Sequence, residues 1–151
     1  MDCLLKDMYI LALPVDQCSP GYCTFLDTRP NLIMEGVFTK ILYTHPHFTL
    51  NCIYLQVPLT VLEYKTIYPD KSLLYVEITP ETKTAFCQLE MQILAQYGTD
   101  KHAHYTIGEQ LSMGRIKVPE NYSDQKVFIK ISGIWESDIH YGMTFKFLFG
   151  D

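Results

Sequence analysis

No apolar run in this 151-residue chain approaches the roughly 20 residues that span a bilayer. The start, Met1-Asp2-Cys3-Leu4-Leu5-Lys6, carries an early acid and no basic cluster, and the apolar stretch over residues 8–13 is too short for a secretory signal. The expectation is a soluble intracellular protein with no membrane partner. Positive charge is scarce: twelve Lys/Arg stand against seventeen Asp/Glu, a net charge of −5. A protein that grips duplex DNA through many phosphates usually shows a basic face, so the net charge argues against a histone-like or strongly basic duplex binder.

Paired cysteines are lacking too. The count is five, and Cys3, Cys18, Cys23, Cys52 and Cys87 are scattered, unlike the framework of a small secreted scaffold. Reduced thiols are expected, with Cys52 and Cys87 packed as small hydrophobes. Also missing are a phosphate-binding glycine loop, G-x-S-x-G and H-E-x-x-H, and the acids form no D-x-D or E-x-x-H pair. The chain therefore reads as non-enzymatic and without a cofactor. Cys18-x4-Cys23 and His102-x-His104, with His45-Pro46-His47 as a rival pair, have ligand chemistry but not finger spacing, and no metal site is expected.

What is present is a globular composition. A 48% hydrophobic and 19% charged chain of this length can bury a core as one domain over residues 1–151. Residues 3–13 read as a strand or short helix, and residues 14–31 as loop chemistry holding one short strand near 22–26. Alternation predicts strands over 32–44, bent at Gly36, and over 48–57, 60–68 and 73–79. Thr79-Pro80-Glu81 is a helix start: the Thr caps, the Pro suits the first turn and the Glu complements the positive end. Ala85, Phe86, Leu89, Ile93, Leu94 and Tyr97 then fall on one face before Gly98, which predicts a helix over about 80–97. A polar loop over 99–109, a helical turn near 108–113, a strand at 115–118 and a C-terminal hairpin turning over 136–140 complete the order. Strands do not alternate with crossover helices, which excludes a doubly wound sheet. The fold expected is mostly β, a small antiparallel barrel like the OB-fold, with one inserted α-helix.

The distinctive feature is aromatic residues interleaved with lysines: eleven Tyr, eight Phe and one Trp, many beside Lys in strands. Rings stack on bases and ammonium groups meet phosphates, although the same rings equally suit a core. Alternation puts Lys130 on a face with Phe128, Ser132 and Ile134, and Lys146 with Thr144 and Leu148. Val127, Ile129, Ile131, Met143, Phe145 and Phe147 then look inward. Trp135 stands at a strand end, where either side is open to it.

The C-terminal segment, Ile134-Trp135-Glu136 followed by Tyr141-Gly142-Met143-Thr144-Phe145-Lys146-Phe147, resembles the last hairpin of OB-fold single-stranded DNA-binding proteins of viral and phage replication. Residues 36–43 with Phe48-Thr49-Leu50-Asn51 resemble their first long hairpin. The resemblance covers about a third of the chain. It implies stacking by Trp135, Tyr141, Tyr43, Phe48 and Tyr54, and phosphate contacts by Lys40, Lys130 and Lys146. The partner implied is single-stranded nucleic acid, DNA before RNA, with replication proteins around it. Many such relatives end in a long acidic tail, whereas this sequence stops at Phe149-Gly150-Asp151. The alternative is a β-rich protein–protein adaptor or viral assembly subunit.

Overall fold

Alternating apolar residues make strands, and most of this chain is strand. The computed structural model describes the backbone of residues 3–5, 8–31 and 35–150, and side chains from Ala12 onward. In chain order the strands are β1 (Cys3–Leu5), β2 (Met8–Ala12), β3 (Cys23–Phe25), β4 (Arg29–Pro30), β5 (Val37–His45), β6 (Phe48–Leu50), β7 (Ile53–Gln56), β8 (Thr60–Ile67), β9 (Lys71–Glu77), β10 (His102–His104), β11 (Arg115–Val118), β12 (Lys126–Glu136) and β13 (His140–Gly150). Helix α1 (Pro80–Tyr97) is inserted between β9 and β10, and the shorter α2 (Thr106–Met113) follows β10.

The large sheet runs β10-β13-β12-β5-β3, with β4 and β6 on β5 and β7 on β12. It curls into half a barrel. Its long hairpin, β12 with β13, pairs from Lys126↔Gly150 to Glu136↔Tyr141. A second, antiparallel sheet has the order β11-β9-β8. One continuous core joins these parts. It holds Ile41, Leu55, Ile129 and Phe147 of the large sheet, Leu74 and Ile116 of the small one, Phe86 and Ile93 of α1, and Leu111 of α2.

The mostly β fold with an inserted helix agrees with the reading of the sequence, and α1 matches it closely. Thr79 caps it by accepting from Thr82 N–H, Pro80 opens it, and Gly98 closes it in the left-handed region at φ 68°. Three details differ. The predicted strand over 48–57 breaks into β6 and β7. The predicted polar loop after α1 contains β10, which pairs with β13 in parallel through His102↔His140 and His104↔Gly142. The helical turn near 108–113 starts earlier and becomes α2. The first residues of the predicted 32–44 strand, and the side chain of Cys3, lie outside the described residues. Cys18, Cys23 and Cys52 are buried free thiols, while Cys87 is partly exposed. No helix among the described residues is long and apolar enough to cross a membrane.

Helix α2 has no side-chain cap of its own. Its first free N–H groups, on Ile107 and Gly108, donate instead to the carboxylate of Glu90 on α1, at 2.9 and 3.0 Å. Glu90 is fully buried. Desolvation pushes its pKa up, and the two backbone hydrogen bonds pull it back only in part. Glu90→Ala should destabilise the fold by roughly 2–4 kcal/mol, because two buried donors lose their acceptor. A lowered urea midpoint at unchanged slope is the expected reading. Glu90→Gln keeps one acceptor oxygen and should cost less. Because the folded chain holds this proton more tightly than the unfolded one, the group's stabilising contribution is complete below the unfolded pKa. It declines as pH rises through the raised folded value, and Glu90→Gln should flatten that part of the stability–pH curve.

Candidate nucleic-acid interface

The site depends on a register shift in β12. Ile131 pairs with Phe145, but the next pair is Gly133 with Thr144, so Ser132 is an extra residue in the strand. Such a bulge exchanges the two faces of everything that follows. Val127, Ile129 and Ile131 point into the core, as alternation predicts. After the bulge the inward residue is Ile134, which is fully buried. The expectation that Ile134 shares the face of Lys130 is thereby corrected, and Trp135 is delivered to the outer face.

The outer face is built as rows of cross-strand neighbours. One row runs Arg29–Phe38–Trp135–Gly142–His104 across β4, β5, β12, β13 and β10. The next is Lys40–Gly133–Thr144, and the third is Tyr54–Lys130–Lys146. The two glycines make room for the two rings. A Cβ on Gly133 would stand 2.5 Å from Phe38 Cζ, and one on Gly142 would stand 2.8 Å from Trp135 Cζ2. Phe38 and Trp135 thus lie directly against backbone, each half-buried.

A fourth row, Gln56–Phe128–Leu148, is covered. Ala12 packs there with Cys52, Tyr54 and Phe128, and Leu13 N–H donates to Tyr54 C=O at 2.9 Å. The face therefore has a sealed apolar end and an open end at Trp135.

The rows carry Arg29, Lys40, Lys130 and Lys146 and not one Asp or Glu. Among the described residues Lys101–Glu136 at 3.1 Å is an ion pair and His104 meets Glu109 at 3.3 Å, and none of these four cations has a carboxylate partner there. Lys40 Nζ reaches Cys52 Sγ at 3.5 Å, and Lys130 Nζ sits 6.0 Å from the centre of the Tyr54 ring. Glu136, next to Trp135, turns inward, accepts a short hydrogen bond from Tyr97 O–H and is neutralised by Lys101.

From Arg29, Phe38 and Trp135 a cleft of about 780 Å³ crosses Thr144 and Lys146 and bends round the edge of β13 towards Phe145, Lys71 and Lys117. Beyond Gly142 that edge of β13 has no strand partner among the described residues. Four cations and no carboxylate line the cleft.

Of the residues read from sequence, Lys40, Lys130, Trp135 and Lys146 come together on this face. The tyrosines do not supply stacking rings. Tyr43 is wholly buried, its oxygen accepting from Ser19 N–H at 2.9 Å. Tyr141 pairs with Glu136 on the inward side and donates to Leu94 C=O at 3.2 Å. Tyr54 is on the outer face but lies under Ala12, 8% exposed. A ring with neither face free cannot take a base, which corrects the roles expected of all three. Phe48 stacks on His45 at 4.4 Å, at the far end of β5. Phe38 and Arg29 are the additions. Phe38 was findable, since it stands two residues before Lys40 in one strand and so shares its face; Arg29, in a Pro-rich loop, has no periodic signal.

The pairs with ligand chemistry do not converge, and among the described residues no three His, Cys, Asp or Glu side chains are grouped to hold a metal ion. Burial pushes the Cys18 thiol up to about 12 and the Cys23 thiol up to about 11, so neither offers a thiolate near neutrality.

Gly142→Ala should displace the indole, because the new methyl would also lie 2.8 Å from His104 C=O. The expected reading is a shifted emission maximum from the sole tryptophan, with a loss of roughly 1–3 kcal/mol in stability; an unchanged spectrum would contradict the placement of the ring. No protein-family model, no curated protein and no solved structure matches this chain.

Proposed function

We propose that this protein binds single-stranded nucleic acid, DNA in the first instance, along the outer face of β5, β12 and β13, without sequence preference and without chemistry. The observation that carries the reading is the acid-free face itself. In a chain of net charge −5, four cations with no carboxylate partner among the described residues surround two rings seated against glycine backbone. Lys130 and Lys146 are direct cross-strand neighbours, an arrangement that repels in the free protein and that a bound phosphate relieves. Rings at the base of a cleft suit unstacked bases, which a duplex does not present. The hairpin pattern resembling viral and phage single-strand binders supports a role in coating unwound DNA during replication.

A second reading, a protein–protein adaptor, is favoured by β8, an edge strand that leaves Leu62 63% and Tyr64 51% exposed, and open edges invite a partner strand. Titration with an oligonucleotide separates the two. Under the nucleic-acid reading Trp135 fluorescence quenches on binding, and Trp135→Ala weakens affinity by about 1–3 kcal/mol. Absence of binding at micromolar protein in low salt would remove it and leave the adaptor.

Charge removal gives an independent check. Lys130→Ala with Lys146→Ala should make the slope of log K against log salt shallower by about 1.4, two single-strand phosphate contacts' worth. Lys83→Ala, on α1 and off this face, should leave the slope alone.

A further inference from the structure

The cleft does not stop at the large sheet. Its far wall includes Lys71 and Lys117, which belong to the small sheet. There the register places Glu63–Tyr75–Arg115 in one row and Lys65–Leu73–Lys117 in the next, with Lys71 beside Ile67. The opposite face of the same strands, Leu74, Val76, Ile116 and Val118, is core, so these rows point outward. Lys65 Nζ lies 5.5 Å from the centre of the Tyr75 ring. Lys65, Lys71, Arg115 and Lys117 are exposed, and Tyr75 is partly so. None of the four cations takes part in an ion pair among the described residues. The acids on this face are Glu63 and Glu77, and Glu63 sits across Tyr75 from Arg115 without bonding to it. Eight of the chain's twelve Lys/Arg thus lie on two outward faces that the cleft connects: Arg29, Lys40, Lys130 and Lys146 on one, Lys65, Lys71, Arg115 and Lys117 on the other.

We propose that a bound polynucleotide follows this track from the large sheet, round the free edge of β13, onto the outer face of β8, β9 and β11. Tyr75 is a second stacking ring there, and Lys65 and Arg115 hold the phosphates on either side of it. The inference rests on the nucleic-acid reading of the first face and adds a length requirement to it: a short strand fills the Phe38–Trp135 end, and only a longer one reaches Tyr75.

The test uses the full chain and labelled oligothymidylates of about 6 and about 16 nucleotides, lengths within the span of sites on single-strand-binding barrels. Affinity is read by anisotropy over a range of salt. Lys65→Ser with Arg115→Ser changes only exposed side chains, and Tyr75→Leu keeps an apolar group in place, so both variants should retain the wild-type melting temperature. For the long strand each should weaken binding about five- to tenfold, and the double variant should make the salt slope shallower by about 1.4. For the short strand, affinity and slope should stay within twofold of wild type, whereas Trp135→Ala weakens both lengths. If wild type binds neither strand, the underlying reading falls. If wild type binds both but the small-sheet variants leave the long strand unaffected, or weaken both lengths alike, the extended track is overturned and the first face stands.

Discussion

Side chains along a strand alternate with period two, so one surplus residue exchanges inside for outside in all that follows. Ser132 is that residue in β12. Before it, odd-numbered residues feed the core; after it, Ile134 does, and Trp135 emerges against the bare backbone of Gly142. The neighbouring Gly133 allows Phe38 to lie down beside it. The core accepts the exchange because Ile134 fills the inward position that Gly133 would have left empty, while the outer face gains a wide polarisable ring. Bulges recur where a strand must re-aim a side chain next to a functional surface, and here the re-aimed group is the sole tryptophan.

Around that ring the charge distribution is uneven in a way the composition conceals. An acidic protein repels a polyanion at long range, but the effect weakens beyond a Debye length. What acts on a group at the surface is the local field, and the eight cations on the two connected faces have no carboxylate partner among the described residues. Most of the seventeen acids lie elsewhere, and Glu136, the one nearest the indole in sequence, is turned inward and paired with Lys101.

Helix α1 is legible in the sequence because cap, proline, helical face and terminal glycine all agree within twenty residues. The C-terminal hairpin is equally legible, its two apolar runs being long and its turn polar. The lysines of the site follow from parity within their own strands. The tyrosines do not, because whether Tyr43 or Tyr141 meets solvent depends on Ser19 and Leu94, groups more than twenty residues away. Ile134 and Trp135 are misassigned or undecided by alternation for a local reason: a bulge leaves no mark in a hydrophobic pattern beyond a nearby glycine. The far wall of the cleft, Lys71 and Lys117, is invisible in one dimension, since it exists only once β11 lies near β13.

The buried carboxylate of Glu90 has a consequence for that cleft. Thr106 and Gln110, on the eight-residue α2, line it, and a helix so short has little tendency to persist by itself. Its opening turn is anchored from α1 by a buried acid that does not itself line the cleft. Substitutions in the middle of α1 that disturb Glu90 can therefore loosen one wall of the cleft without lying in it.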